Sequence, residues 1–404
     1  MPESIKLFSE ESSTFRTMAE FHDPFIMMRK ILYNKSKNYN LAKLCHVLLI
    51  IIYSSVQCLQ IYYVFKNFSI NLLLRYAPTI LFFIFIITGA VLSLIFMEND
   101  ILEIVTFLDK ICWSFNMVRK DAQMKLKRKC QVINMCILFV LLLLLSTLTI
   151  NAPCFGSQRE VFIFIQIFEE YFGEWSFIPY YFYFTAFPFL YYNFLKLWMS
   201  FVYMVLEAQL QFILVEEFLF ETNQVNRLKG WKYLHDTGYQ KKIEKSLRLC
   251  IIHHNALKKY VRMTLNVTLK AMPFFLILGI LLLISMFAFL INFADTITTM
   301  SNILKMRIIM TVTVTMCIAA LLCWLGQQLI DTTSDIFASL VGAPWYFWNL
   351  GNIRILLMFL TNCTKNESVV LAGICVDYKL LVSMLRTSVS YALVLFNLRK
   401  SSVV

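Results

Sequence analysis

Near the end of the chain, Arg386-Thr387-Ser388-Val389-Ser390-Tyr391-Ala392-Leu393-Val394-Leu395-Phe396-Asn397-Leu398-Arg399 forms an apolar segment interrupted by Ser, Thr, Tyr and Asn. Between its two arginines lies about 18 Å of helix, against about 30 Å of hydrocarbon in a bilayer. It spans only if extended through the preceding sequence, Leu371 to Leu385, which contains Asp377 and Lys379. Mixed polarity at membrane depth is tolerated where a helix faces protein or a water-filled path. We therefore read this segment as the last helix of a bundle and as a candidate wall of an aqueous path.

Outward from it, the chain reads as a membrane protein with several spans. Of 404 residues, 59% are hydrophobic and only 15% are charged, where soluble domains carry about 25%. Mean hydropathy is +0.66. The formal charge of +12 is concentrated in loops, where it sets orientation and attracts anionic lipid; it is not read as a nucleic-acid signal. The cysteines stand at 45, 58, 112, 130, 136, 154, 250, 317, 323, 363 and 375, without a CxxC pair. They read as small buried hydrophobes. The first forty residues are polar and mixed, so no signal peptide is expected and the first span would serve for insertion.

Six runs are long and nearly free of charge: Leu44–Phe65, Tyr76–Met97, Cys130–Ala152, Trp175–Leu195 (extending towards Leu206), Ala271–Ala294 and Ile308–Ile330. Each meets the length of a spanning helix. The interrupted segment makes the seventh. Ile336–Leu360 competes for that place but is broken by Gly342, Pro344, Gly351 and Arg354.

Loop charge orients the bundle. The segment before the first span carries Lys6, Arg16, Arg29, Lys30, Lys35, Lys37 and Lys43. The loop after the second carries Lys110, Arg119, Lys120, Lys125, Lys127, Arg128 and Lys129. The loop after the fourth, from Glu207 to about Lys270, carries eleven Lys or Arg. Opposite them stand only Lys66, Arg75 and Arg159. The excess places the N-terminus in the cytoplasm and, with seven spans, the C-terminus outside. G-protein-coupled receptors have the opposite topology, and neither Asp-Arg-Tyr after the third span nor Asn-Pro-x-x-Tyr in the last is present. Among the sequons, Asn67-Phe68-Ser69 falls in the first outer loop and is the candidate glycosylation site; Asn34, Asn362 and Asn366 fall on the inner side.

Two inner stretches read as helices. Glu207–Thr222 continues the fourth span, and Tyr239–Val261 is basic, with Ile243, Leu247, Cys250, Ile251 and Leu257 at helical spacing. Together they predict a platform below the membrane. His253 and His254 are adjacent, point to different faces and make a poor metal pair. No metal and no cofactor is expected.

An ordered set of short motifs follows: Gly326-Gln327-Gln328-Leu329 leaving the sixth span, Ser334, Ala343-Pro344-Trp345-Tyr346-Phe347-Trp348, Arg354, Leu371-Ala372-Gly373, and Thr387-Ser388-Val389-Ser390-Tyr391. This set resembles the C-terminal signature of insect odorant receptors, and it covers about the last eighty residues. Length, inverted topology and loop sizes match over the whole chain. The resemblance implies a subunit of a tetrameric, ligand-gated, non-selective cation channel. It implies a shared anchor at the inner ends of the fourth to seventh helices, and a central pore lined by the seventh. The loop after the fourth span lacks the large insertion typical of the co-receptor. The chain therefore looks like a ligand-tuning subunit, working in a heterotetramer with the insect odorant co-receptor in the plasma membrane of olfactory sensory neurons.

The resemblance also implies site residues. Tyr391, Val394 and Asn397 match the spacing of the co-receptor's terminal motif, with Asn in place of Gln, and form the candidate pore stripe. Trp345, Tyr346 and Trp348 are candidate subunit-anchor residues; inner-leaflet aromatic anchoring is the plainer reading. The ligand site would be an apolar cavity in the outer half, between the second, third, fourth and sixth spans. There the outer turns hold Leu81, Phe82 and Phe85; Leu145, Ser146, Thr149 and Ile150; Tyr180, Tyr181, Tyr183, Phe184 and Phe187; and Ile308, Ile309 and Val312. Pro179 and Pro188 are expected to kink the fourth helix and open space. Affinity would come from burial, with one or two hydrogen bonds for selectivity, so the expected ligand is a small volatile, apolar or aromatic. Glu169, Glu170 and Glu174, with Glu160 and Asp295, lie near the outer face, where they could draw cations to the mouth.

The expected organisation is a cytoplasmic segment over 1–43, a six-helix transmembrane bundle with cytoplasmic extensions over 44–330, an anchor helix and pore-lining helix over 331–398, and an extracellular tail over 399–404. No Gly-rich phosphate loop, HExxH, Gly-x-Ser-x-Gly or intramembrane carboxylate pair is present, so no enzyme activity is expected. The alternatives are a gustatory-receptor-type homotetrameric channel, whose usual Thr-Tyr-x5-Gln-Phe ending is not met by Ser390-Tyr391 and Asn397-Leu398, and, further off, a G-protein-coupled receptor or a transporter.

Overall fold

The computed structural model describes residues 23–33, 39–151, 162–223, 230–292, 302–371 and 374–403. Its helices are α1 (Ile26–Tyr33), α2 (Tyr39–Lys66), α3 (Ile70–Val91), α4 (Glu98–Ile111), α5 (Lys120–Ile150), α6 (Ile163–Phe172), α7 (Phe177–Asn223), α8 (Gly230–His235), α9 (Thr237–Asn292), α10 (Asn302–Val341), α11 (Leu350–Cys363) and α12 (Tyr378–Val403). The described strands are a two-residue antiparallel pair, β1 (Val370–Leu371) and β2 (Ile374–Cys375), with Val370 opposite Cys375.

Six of these helices, α2, α3, α5, α7, α9 and α10, are long and apolar enough to cross a membrane. They carry most of each of the six predicted runs, with ends that differ by a few residues: α3 stops at Val91 and α7 starts at Phe177. The seventh long helix is α12, whose 26 residues reach about 39 Å. The seven-helix, all-α fold expected from the sequence is the one observed. Ile336–Leu360, the competitor, is instead the end of α10, a tight turn at Trp345–Phe347 and most of α11.

Helix ends follow ordinary capping chemistry. Ser69 Oγ accepts from Leu72 N (3.2 Å) at the start of α3, and Asn349 Oδ1 accepts from Asn352 N (2.8 Å) at the start of α11. Asp236 Oδ1 accepts from Gly238 N and Tyr239 N (2.9 and 3.1 Å) at α9. Asp377, noted above as an odd charge beside the last helix, accepts from Leu380 N (2.9 Å) and caps α12. Proline is accommodated inside α3 (Pro78), α7 (Pro188) and α9 (Pro273) without ending them. Pro179 stands in the first turn of α7, where its missing N–H would be unpaired anyway.

The core is organised around α7. Every residue from Ser200 to Phe212 is buried, as expected of a helix apolar on all sides. It packs against α10, α9 and α3; α9 in turn packs against α3 and α12. Polar groups on α7 tie it to its neighbours: Gln209 Nε2 donates to Leu325 O on α10 (2.8 Å), and Gln211 exchanges bonds with the backbone of Trp113 (2.8 and 3.3 Å). Glu207, read from the sequence as the first residue of the inner extension of the fourth span, is fully buried mid-helix.

Helices α7 and α9 run without interruption from the bundle into the platform, so the predicted inner helices are continuations of spans. The short α1 is clasped beneath the bundle. Asp23 accepts from Phe25 N (2.7 Å) and from the Tyr203 hydroxyl (3.0 Å), and Arg29 pairs with Asp109 (2.5 Å). That bond is the main reason the guanidinium holds its proton more tightly than usual. Glu98, at the α3–α4 turn, bridges Lys43 (2.9 Å) and Lys196 (3.0 Å) with its carboxylate mostly buried. Glu98→Gln is expected to lower stability by about 1–3 kcal/mol by leaving two ammonium groups short of a partner. A thermal melt of the detergent-purified chain reads this; an unchanged midpoint would count against the bridge.

Candidate functional site

Helices α3, α6 and α7 build an aromatic cluster at the end of the bundle predicted to be outer. Phe83 is buried at its centre, with ring centroids 5.6 Å from Tyr183, 5.3 Å from Phe187 and 6.3 Å from Phe164. Tyr183 lies 4.3 Å from both Phe164 and Tyr53. Phe184 stands 5.6 Å from Phe162 and Phe164 and 5.1 Å from Tyr180. Tilted and edge-on rings at these separations are mutually favourable.

Of the predicted ligand residues, this cluster gathers Tyr180, Tyr183, Phe184 and Phe187, with Phe82 at its edge, 6.2 Å from Phe83. Leu81 is half-buried beside them on α3, while Tyr181 points outward. Phe85 faces the other way along α3. It stacks on Trp198 at 6.1 Å and meets Phe194 and Phe275 at 5.4 and 5.1 Å, nearer the platform. Beside that group a narrow apolar cleft runs between α4, α7 and α9, walled by Met97, Phe201, Met204 and Met272.

On α5, Leu145 and Thr149 are exposed, whereas Ser146 and Ile150 are half-buried. Both polar side chains there bond to their own helix, Ser146 to Leu143 O (2.8 Å) and Thr149 to Ser146 O (2.9 Å). On α10, Ile308 and Val312 are half-buried and Ile309 is exposed. The buried Arg307 donates to Ile150 O (3.1 Å) and pins α10 to α5.

Sequence reasoning missed Phe83, Tyr53 and the whole of α6, with Phe162, Phe164 and Phe168. Ile163–Phe172 lay within what read as an outer loop. Its apolar run, Val161 to Phe168, was the available signal, but ten residues are too few to declare a period.

On α12, Tyr391 and Val394 are 57% and 51% exposed, and Asn397 is exposed too. Ser388 and Ala392, on the opposite face, are fully buried against the bundle. The predicted pore stripe thus lies along the side of α12 turned away from its own chain.

The platform end is fixed by Gln240, Asn349 and Asn352. Gln240 Nε2 donates to Tyr233 O and Phe347 O, and its Oε1 accepts from Asn349 N and Asn352 Nδ2, all at 2.9 Å. Trp345 and Tyr346 project from this turn, half or more exposed, whereas Trp348 is buried inside the chain. Lys258 donates to Asn362 O (2.9 Å) and pairs with Glu367 (3.2 Å), largely out of solvent. His253 stacks on Trp113 at 4.1 Å, while His254 meets Phe359 and lies 3.7 Å from Cys363 Sγ. Burial pushes that thiol up to about 12. No group of three potential metal ligands occurs among the described residues.

Glu169 and Glu174 are exposed around the end of α6; Glu160, Asp295 and the Ala372-Gly373 pair lie outside the described residues. Asn67 is exposed in the α2–α3 turn.

These features define a multi-pass helical membrane protein with an aromatic core at one end and a platform at the other. No family model matches the sequence, and no curated protein does. Solved structures do match in fold. The insect olfactory receptor OR5 from Machilis hrabei superimposes with a TM-score of 0.65 at 11% identity, over 98% of this chain and 99% of that one. The same receptor in complex with eugenol matches at 0.67 and 12% identity, over 93% and 97%. The chain therefore has the fold of insect olfactory receptors along its full length.

Proposed function

We propose that the chain is the odorant-binding subunit of a ligand-gated, non-selective cation channel. It would assemble with the insect odorant co-receptor as a heterotetramer in the plasma membrane of olfactory sensory neurons, N-terminus inside. The observation that carries this reading is the end-to-end match in fold to an olfactory receptor, one of whose structures holds the volatile eugenol. The exposed stripe of Tyr391, Val394 and Asn397 supports a central pore built from several copies of α12. A valine ring can close such a pore by dewetting, and amide oxygens can ease cation dehydration. Trp345 and Tyr346 would contact neighbouring subunits, since they alone of the three predicted anchor aromatics are exposed. The aromatic cluster supports a small apolar or aromatic ligand.

The test is whole-cell current from this chain alone and with an insect odorant co-receptor, under a panel of volatiles. An inward cation current that requires both chains is the expected result. Current from this chain alone would instead favour the gustatory type of homotetramer. An N-terminal tag reached by antibody without permeabilisation would sink the inward orientation and favour a G-protein-coupled receptor. In channels that conduct, Val394→Ala is expected to raise unliganded current severalfold, and Asn397→Ala to change relative cation permeability. Unchanged gating and permeability in the double variant would remove α12 from the pore.

A further inference from the structure

The buried stripe of α2 consists of Ile50, Tyr53, Gln57, Gln60 and Val64, the remaining faces of the helix being partly or fully exposed. Steps of three and four put all five on one line facing the bundle. An inward stripe in a lipid-facing helix is ordinarily apolar, yet two of these five are glutamines, 4% and 2% exposed. Gln57 uses its amide nitrogen on Ile80 O of α3 (3.1 Å). Its Oε1 has no hydrogen-bond partner among the described residues, nor has Gln60 Nε2, nor the Tyr183 hydroxyl on α7. The Gln60 amide neighbours that hydroxyl, outside hydrogen-bond geometry. Around Tyr183 stand the rings of Tyr53, Phe83 and Phe164.

Buried tyrosine hydroxyls and amides in native proteins almost always have partners. Leaving such groups unmatched at membrane depth is costly. Gln60 and the Tyr183 hydroxyl are neighbours, and Gln57 stands about one turn before Gln60 on the same buried stripe, on the α3 side. They offer an N–H donor, a carbonyl acceptor and a hydroxyl that does either. A ligand hydroxyl that accepts from the Gln60 N–H and the Tyr183 O–H and donates to the Gln57 carbonyl oxygen would satisfy all three.

Resting on the odorant-binding reading above, we infer that Gln57, Gln60 and Tyr183 form the polar recognition point of the ligand site, and that the preferred ligand is a small volatile bearing a hydroxyl, an alcohol or phenol. An ether of the same skeleton can accept but not donate; a hydrocarbon can do neither. The outer aromatic rings supply burial, and this point supplies the choice.

The test is binding to the purified full-length chain in lipid nanodiscs, followed by tryptophan fluorescence, with 4-ethylphenol, 4-ethylanisole and 4-ethyltoluene as probes. The phenol is expected to bind about tenfold more tightly than the hydrocarbon, equivalent to about 1.4 kcal/mol, with the ether between. Gln60→Leu and Tyr183→Phe are each expected to bring that ratio below about threefold through the phenol alone. Both remove polar groups without partners, so the unliganded melting temperature should hold or rise, which separates loss of recognition from loss of fold. Equal binding of the three probes to the wild type would overturn the inference; ordered water, not ligand, would then serve these groups. So would a ratio unchanged in both variants, or no probe binding by folded protein. Probe discrimination without any ligand-gated current would sink the channel reading and leave this one standing.

Discussion

Gly326→Ala is expected to strip most of the folded chain from the cell surface. Within an exposed helix the change would favour folding by up to about 1 kcal/mol, because alanine is the better helix former. Here the sign reverses. A methyl group on Gly326 falls inside contact distance of the Val376 carbonyl oxygen and 3.0 Å from its carbon. These are backbone atoms, held on both sides. Val376 N donates to Val369 O (2.8 Å), and the next residue, Asp377, caps α12. On the glycine's own side, Leu325 O is bound by Gln209 of α7. Neither partner can yield without breaking a further bond, so the cost should reach roughly 3 kcal/mol or more, the upper end for overpacking. That is on the order of a hundredfold in the folding equilibrium. Surface biotinylation and a thermal melt of the purified chain measure it. Wild-type surface level with an unmoved melt would show that α10 and the start of α12 are not packed as described.

Gln240→Leu is expected to be nearly as damaging, by a different route. The side chain keeps close to the volume of glutamine but loses both donor and acceptor. It leaves Asn349 N, Tyr233 O and Phe347 O short of their partners at a residue only 5% exposed. Asn352 Nδ2 keeps its bond to the Gln240 backbone oxygen (2.9 Å). At about 1–3 kcal/mol for each buried group deprived of its bond, roughly 3 kcal/mol or more is lost. Gln240→Glu should not rescue it, since a carboxylate would face the two carbonyls that the amide served. The expected readout is early proteolytic cutting between Val341 and Leu350, with the outer bundle still protected. Uncut protein with a wild-type melt would mean that the network is incidental.

The apolar runs made the fold legible because membrane helices announce themselves by length, and loop charges gave their direction. Gly326 was conspicuous in the sequence, but its reason was not: the Val376 backbone that needs it arrives from fifty residues away. The ligand region was harder to read. On α3, Leu81, Phe82, Phe83, Ile84 and Phe85 are all apolar, so no periodic signal says which face turns inward. Phe83 went unnoticed there, and Phe85 belongs to a different aromatic group. On α7, the continuation of the helix through Glu207 was expected, but the burial of Glu207 was not, because charge usually marks where a helix leaves the packed bundle. The polar stripe of α2 was overlooked for the opposite reason: two glutamines in a run otherwise rich in Ile, Leu, Tyr and Val do not lower its hydropathy enough to show.

Helix α9, at 56 residues, is about 84 Å long, close to three times the thickness of the hydrocarbon it crosses. A rod of that length turns angle into distance. A tilt of about 2° displaces one end by about 3 Å relative to the other, with no local rearrangement between them. Pro273, which withdraws one hydrogen bond from the ladder, divides the rod where the platform meets the bundle. The limb on the bundle side is the shorter, so small displacements there are magnified at the platform, beside α12. Geometry of this kind would give the protein a mechanical advantage set by the length of the helix and by where Pro273 divides it.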